Sequence, residues 1–360
     1  LLAKTYAAYG LEDERFKYGL DFLYLFDKRP RHSIAVTFRN DITTGSNIDE
    51  NFGSRGFFSD VVFRRTDEDG DQIPLKLMFL REGRIEYFKE WDVGFSITSG
   101  LVNRQMDPYF HFNYLTDGSD LAPDPTISSL TSSELTITGR FAYQEKFLSG
   151  EFNRISAGTK YPVVSLQYSL GVKGILGSEF NYHKLELTVD DNLNIKPLGK
   201  TFYTLTAGKQ FGRVPYLLME IPQGNDGYFL NYYGFNMMNQ YEFAADQYAM
   251  LFADHHFEGF FFQKIPLIRE LNFRTVVSFR ALIGGMTDEN KAANKPNLEG
   301  NAPDDAIFQV KSPSRIPYLE VGAGIENILR IFRVDAVWRL TKKLENQSNF
   351  GIRLGMRVSF

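Results

Sequence analysis

The sequence predicts an all-β protein, an antiparallel transmembrane β-barrel with about 14 strands in this chain and about 16 once strands upstream of it are added. Three observations lead there. The first is the end of the chain. Phe350, Ile352, Leu354, Met356, Val358 and Phe360 are apolar, and Gly351, Arg353, Gly355, Arg357 and Ser359 alternate with them. A strand sends successive side chains to opposite faces, so one face suits hydrocarbon and the other suits water. The stretch is about long enough to cross a tilted bilayer path, and a terminal aromatic is a common C-terminal barrel signal. The second observation is that this alternation recurs along the whole chain. The third is a mean hydropathy of only −0.27 with 33 Phe and 19 Tyr, as expected when apolar residues are dispersed by alternation rather than gathered in runs. No run of about 18 apolar residues offers a membrane-crossing helix.

A first strand is predicted at 1–9. Phe16, Tyr18, Leu20, Phe22, Tyr24 and Phe26 then share a face opposite Lys17, Gly19 and Asp21, which predicts a strand over 16–27. Ile34, Val36 and Phe38 against Thr37, Arg39 and Asp41 predict 31–42. Strands at 75–91 and 94–112 follow. Leu135, Ile137, Phe141 and Tyr143 oppose Thr136, Thr138, Arg140 and Gln144 within 133–147. Val164, Leu166, Tyr168 and Leu170 oppose Ser165, Gln167 and Ser169 within 161–172. His183, Leu185, Leu187 and Val189 oppose Lys184, Glu186 and Thr188 within 178–190. Strands at 200–210 and 247–260 come next. Leu271, Phe273, Val277, Phe279 and Ile283 oppose Asn272, Arg274, Ser278 and Arg280 within 270–284. Leu319, Val321, Ala323 and Ile325 oppose Glu320, Gly322, Gly324 and Glu326 within 316–325. Phe332, Val334, Ala336, Trp338 and Leu340 oppose Arg333, Asp335, Arg339 and Thr341 within 330–341, and the last strand covers 348–360. No 3.6-residue period competes with these patterns.

Composition narrows the function classes. A chain of 360 residues is ordinary for one large barrel, and it reads as a single domain over 1–360. A net charge of −4 gives no electrostatic footprint for nucleic acid. The absence of cysteine excludes disulfide frameworks, thiol catalysis and thiolate metal sites. The opening Leu1-Leu-Ala-Lys-Thr-Tyr6 is unlike a signal peptide, so the expectation is that this is the rear part of a longer exported chain.

Parity checks the topology. Barrel strands alternate in direction, with short periplasmic turns and longer outer loops. With Phe360 at the periplasmic rim, the connections at 28–30, 92–93, 148–160, 191–199, 261–269 and 326–329 fall on the periplasmic side. The long polar connections near 43–74, 113–132, 211–246 and 285–315 fall on the outer side. Within the first of these, residues 52–65 are amphipathic and suit a short helix capping or entering the barrel, or a segment lying on the membrane surface.

The face predicted to line the lumen collects Arg140, Arg274, Arg280, Glu320, Glu326, Arg333, Asp335, Arg339, Arg353 and Arg357. Such residues either form ion pairs that fill the interior or bias a path toward anions. Asp254, His256 and Glu258 share one strand face and are weak candidates for a divalent ion; pairing with the arginines is the alternative, and no metal is predicted. Asp67-Glu-Asp-Gly-Asp71 departs from the calcium-loop pattern, because Gly70 comes early and no Glu follows at the required place. There is no nucleophile elbow, His-Glu-x-x-His or phosphate loop, and His32 and His111 have no motif around them. The expectation is a non-enzyme without a cofactor.

Several phrases go beyond alternation: Lys160-Tyr-Pro-Val-Val-Ser-Leu-Gln-Tyr168, Asp254-His-His-Phe-Glu-Gly-Phe260, Lys264-Ile-Pro-Leu267, Pro317-Tyr-Leu-Glu-Val-Gly-Ala-Gly-Ile-Glu-Asn327 and Phe332-Arg-Val-Asp-Ala-Val-Trp-Arg-Leu340. With Ala8-Tyr-Gly10 and Asp13-Glu-Arg-Phe-Lys-Tyr18, they resemble a family of Bacteroidota outer-membrane β-barrel proteins of unknown function. Members often carry an N-terminal carboxypeptidase-regulatory-like domain ahead of the barrel. The family is distantly similar to Omp85 barrels, which insert or translocate other proteins. In those barrels a loop before the fifth strand from the end folds into the lumen. Here Val214-Pro-Tyr216 through Tyr233, Gly234, Phe235, Asn236 and Asn239 stands at that place. Tyr233-Gly-Phe235 replaces the Arg-Gly-Phe type of triplet typical of Omp85.

The resemblance implies a non-catalytic subunit or scaffold in outer-membrane protein assembly, translocation or an envelope complex of a Gram-negative bacterium. The alternative is a pore or receptor for a small, anionic solute. The expected partners are outer-membrane lipids, lipopolysaccharide and other envelope proteins, with no nucleic acid.

Overall fold

Alternation of this kind folds into one wall. The computed structural model describes residues 1–11, 14–43, 63–66, 70, 72, 76–110, 129–295, 298, 310–344 and 347–356. Its strands, in chain order, are β1 (Leu2–Tyr9), β2 (Phe16–Lys28), β3 (Arg31–Thr43), β4 (Met78–Glu90), β5 (Phe95–Pro108), β6 (Leu130–Ala142), β7 (Lys146–Ser149), β8 (Arg154–Gly158), β9 (Val163–Gly171), β10 (Tyr182–Ile195), β11 (Gly199–Phe211), β12 (Gln247–Glu258), β13 (Arg274–Gly285), β14 (Tyr318–Ile328), β15 (Phe332–Arg339) and β16 (Phe350–Met356). All but β7 and β8 form a single 14-stranded sheet in which each strand pairs antiparallel with the next wall strand. This is the fold class and strand number predicted from alternation. Among the described residues a short helix, α1 (Asp288–Ala293), lies between β13 and β14.

Among the described residues β1 and β16 do not pair with each other, so the sheet keeps two edges. The four long connections between β3 and β4, β5 and β6, β11 and β12, and β13 and β14 all leave from one rim. The opposite rim carries shorter turns, such as 29–30 and 196–198, and no helix among the described residues is long and apolar enough to cross a membrane.

The two faces divide as the pattern requires. On the outer face Trp338 and Phe350 are 40% and 44% exposed, with ring centroids 5.2 Å apart. Ile137, Leu166, Leu187, Leu205 and Val277 are exposed there too. The inner face buries Glu82, Arg280, Glu320, Arg333, Asp335, Arg339 and Arg353. A soluble sandwich would show the reverse distribution.

Several boundaries differ from the reading of the sequence. The strand predicted at 178–190 runs from 182 to 195, because Asp190, Asp191 and Asn192 continue the ladder with β11. The predicted connection 191–199 shrinks accordingly. Leu271 and Phe273 precede the strand predicted at 270–284; Leu271 closes a 3-10 turn, and β13 begins at Arg274. The strand predicted at 133–147 ends at Ala142, and a β7–β8 hairpin takes up its last two residues and most of the connection 148–160; Arg154 fastens it, donating to both carboxylate oxygens of Glu90 at 2.6 and 2.8 Å. Arg357, Val358, Phe360, His111, most of 52–65 and most of 67–71 lie outside the described residues.

The outer face yields a prediction. Leu205 and Thr206 are neighbours at the middle of β11 on opposite faces. Leu205→Arg is expected to lower the unfolding free energy in lipid vesicles by about 2–4 kcal/mol, whereas Thr206→Arg, facing the lumen, costs far less. Urea titration of the refolded barrel measures both.

Candidate functional site

The connection between β11 and β12, residues 212–246, turns back into the space enclosed by the wall. Val214, Tyr216, Leu217, Met219 and Tyr241 pack with Met78, Leu80, Met106, Leu130 and Tyr182 from β4, β5, β6 and β10. Phe235, Met238, Phe243 and Ala245 pack with Tyr248, Met250, Leu282 and Tyr318 from β12, β13 and β14. The loop therefore packs its apolar side chains onto an apolar band of the wall's inner face.

Irregular backbone must find hydrogen-bond partners when it is buried. Glu320 on β14 supplies them at one point. Its carboxylate accepts the N–H groups of Asn236, Met237 and Met238 at 2.8, 2.8 and 3.0 Å. The Tyr318 hydroxyl donates to the same group at 2.5 Å. Arg353 on β16 answers from the other side, donating from Nε and Nη2 to the Asn236 carbonyl at 2.9 and 2.6 Å. Arg339 on β15 holds Glu242 through two hydrogen bonds of 2.9 and 2.6 Å and lies over the Tyr318 ring. The last three strands thus grip residues 236–242.

The same strands make room for the loop. A Cβ at Gly355 would meet the Tyr232 hydroxyl at 2.5 Å and Leu230 at 3.3 Å, and one at Gly351 would meet Met237 Sδ at 3.1 Å. These glycines let the loop lie directly on β16. The loop also reaches the β16 edge. Leu354 donates its N–H to the Tyr228 carbonyl at 3.0 Å and accepts from the Leu230 N–H at 2.7 Å. Residues 63–65 continue the patch. Tyr228 N–H donates to Phe63 at 3.0 Å, and Arg65 contacts Asn225, Asp226 and Asn239.

The loop's start is held by α1. Asn290 and Asn294, one turn apart, accept the N–H groups of Val214 and Tyr216 at 3.0 and 2.8 Å and donate to Gly212 and Val214 carbonyls. Asp246, at its end, accepts from Thr287 and Asn290. Two buried charges beside the loop have shifted titrations. Burial pulls the Lys76 ammonium down to about 8, against the pull of Asp226 and Glu242. Burial pushes the Asp226 carboxyl up, although Arg65 opposes this. A lysine held below its ordinary value penalises the fold below pH 8, and that penalty fades as pH rises toward 10.5.

The rest of the lumen is a cavity of about 1060 Å³ that reaches the short-turn rim. Its wall carries Glu86, Glu134, Glu145, Glu186, Asp190, Asp191, Glu220 and Asp254, against Arg84, Arg104, Arg140 and Lys184. Those cations are themselves engaged. Arg84 and Arg104 reach Glu82, Arg140 pairs with Glu145, and Lys184 with Glu220. The lining therefore carries more acids than bases, and its charges are largely paired, in keeping with the ion-pair reading of the sequence rather than with the alternative of an arginine-lined anion path.

The remaining candidate residues scatter. Arg333 and Asp335 pair with each other on one strand, and Arg333 faces the Tyr232 ring. Arg280 pairs with Asp254 at 2.9 Å, and His256 meets Glu326 at 2.9 Å. A register shift between His256 and Glu258 breaks the shared face, and Glu258 sits at the rim 3.8 Å from Lys200. Asp254, His256 and Glu258 therefore do not converge. Arg274 is exposed at the rim, away from the buried pairs. Phe235 and Asn236 are buried in the loop's core, while Tyr233 points its ring outward, 82% exposed, at the cavity. Asn239 accepts from Arg65 and donates to Gln347. Sequence reasoning missed Glu82, Glu242, Asn290 and Asn294. Only the four-residue spacing of the two asparagines was visible beforehand.

Comparison with known proteins adds a family and a fold. Residues 99–290 match the family described as Family of unknown function (DUF5686) C-terminal domain. No curated protein sequence matches the chain. Among solved structures the fold is similar to the crystal structure of BamA from Haemophilus ducreyi lacking POTRA domains 1–3. The TM-score is 0.53 at 11% identity, over 94% of this chain and 61% of that one. The chain thus spans less than two thirds of that structure's length.

The grip on the loop is testable. Arg339→Ala leaves Glu242 buried without its cation and is expected to cost about 3–5 kcal/mol. The Arg339→Ala/Glu242→Ala pair should cost less than the sum of the single changes. Denaturant titration in detergent reads both. Glu320→Ala strands three N–H groups and is expected to make 227–241 cleavable by protease while the wall stays folded.

Proposed function

The chain belongs to the DUF5686 C-terminal domain family, and from that premise we propose that it is a non-enzymatic integral outer-membrane β-barrel acting as a subunit or scaffold in outer-membrane protein assembly, translocation or another envelope complex. The single observation that carries this reading is the lumenal loop clamped onto β14–β16 inside a BamA-like fold. A barrel whose interior is occupied by its own chain is ill suited to free diffusion. Its useful surfaces are then its rims, its outer wall and its strand edges. The exposed apolar belt supports a lipid setting, with lipids and lipopolysaccharide around the wall. The short-turn rim is the periplasmic one in this reading, and the C-terminus lies there. A Bacteroidota source and a sandwich domain ahead of the barrel belong to the same proposal.

Depletion of the protein in its own organism is expected to lower the amounts of other outer-membrane barrels, measured by quantitative mass spectrometry of the outer-membrane fraction. Unchanged levels, together with purification of the barrel free of any stoichiometric partner, would overturn the reading.

The acidic cavity favours a second reading, a pore or receptor for a small solute that is cationic rather than anionic. In planar bilayers the intact chain is expected to be nearly silent. Deletion of 227–241 should open a steady, cation-preferring current. A steady current from the intact chain would favour the pore over the scaffold.

A further inference from the structure

The connection between β12 and β13, residues 259–273, is built unlike a turn. It contains two 3-10 turns, Phe262–Lys264 and Arg269–Leu271, at the short-turn rim. Its apolar side chains face outward. Leu267 is 89% exposed, and Phe261, Ile265 and Leu271 are exposed beside it. The neighbouring β14–β15 turn adds exposed Leu329, tied to this segment by the Asn327 side chain donating to the Asn272 carbonyl at 2.8 Å. Exposed cations punctuate the patch: Lys264, Arg269 and Arg330; of the acids, Glu270 lies within it, and Glu258 and Glu326 at its borders are near Lys200 and His256. The Lys264 ammonium lies 3.9 Å over the Phe260 ring, and Phe260 stacks edge-on with Phe261. Water penalises this much exposed apolar surface, so the patch calls for an apolar partner.

We propose that residues 259–273, together with the β14–β15 turn, form an interfacial anchor that sinks its apolar side chains into one leaflet and binds anionic lipid headgroups through Lys264, Arg269 and Arg330. Two features of the structure point to lipid as the occupant. The patch continues the outer apolar belt, since Phe332 and Ile325 of the adjoining strands are exposed on the same wall. Its charge is complementary to a phosphate layer, and aromatic rings with flanking Lys and Arg are the chemistry of a membrane–water interface. Part of the backbone in this segment is satisfied by short-range bonds, such as Ile265 N–H to the Phe262 carbonyl and Leu271 N–H to the Ile268 carbonyl, and the hydrated headgroup region can serve the rest. This inference rests on the proposed membrane-spanning barrel.

The test places a single tryptophan by Leu267→Trp in a Trp91→Phe/Trp338→Phe background, in vesicles whose acyl chains are brominated near the headgroup. A second protein keeps only Trp338 as a reference on the wall. The expected result is quenching at both positions. Quenching at 267 should also be stronger when the brominated lipid is phosphatidylglycerol than when it is phosphatidylcholine. That difference should be lost in the Lys264→Glu/Arg269→Glu/Arg330→Glu variant. Quenching at Trp338 with an unquenched, iodide-accessible tryptophan at 267 would overturn the anchor while leaving the barrel reading intact. Equal quenching by both lipids would overturn the headgroup part. Absence of quenching at both positions would overturn the barrel reading itself.

Discussion

The carboxylate of Glu320 holds the interior together. A loop that enters a barrel carries a row of peptide N–H groups with no strand to bond, and three consecutive ones meet this one side chain. Charged acceptors make stronger hydrogen bonds than neutral ones, and they gain strength where water is excluded. Without that acceptor the bend at 236–238 has nowhere to place its donors. The Arg353 contact to the Asn236 carbonyl and the Arg339–Glu242 pair depend on the bend being there. Much of the buried charge on the last three wall strands therefore serves a single purpose, which is to keep an irregular segment satisfied inside a sheet.

The interior is divided as a result. Near the long-connection rim it is packed with Phe235, Met238, Tyr241 and their neighbours, much as in a soluble core. Toward the short-turn rim it is open and acidic. Arg140, Arg280, Arg333, Arg339 and Arg353 are turned to a carboxylate or a carbonyl, and the cavity lining holds more Asp and Glu than Lys and Arg. Counting charges along a strand identifies the residues of a lumen but not its sign, because pairing across strands cancels most of them.

The wall was legible because a period of two is strong over ten residues, and because apolar and polar sets such as Leu185, Leu187 against Lys184, Glu186 do not fit a helix. The place of the lumenal loop was legible through resemblance alone. Its fastenings were not, because Glu242, Asn290 and Asn294 have no local signature and acquire partners only when distant segments meet. The β7–β8 hairpin escaped because strands of four and five residues leave no period to detect. The register shift after His256 escaped because a bulge changes which face a side chain takes without changing residue type.

The clamp also carries a kinetic implication. The loop leaves the wall at Phe211, yet its partners lie 84, 97 and 117 residues further on than the groups they hold, in the pairs Asn236–Glu320, Glu242–Arg339 and Asn236–Arg353. Contacts of such long range form late, since chain closure must precede them. A growing chain has a nearly complete wall before it has anything to fasten its own interior to. Arrival of the β15–β16 hairpin is the event that converts an unfilled sheet into a filled one, so the loop is fastened only after the strands before it are in place.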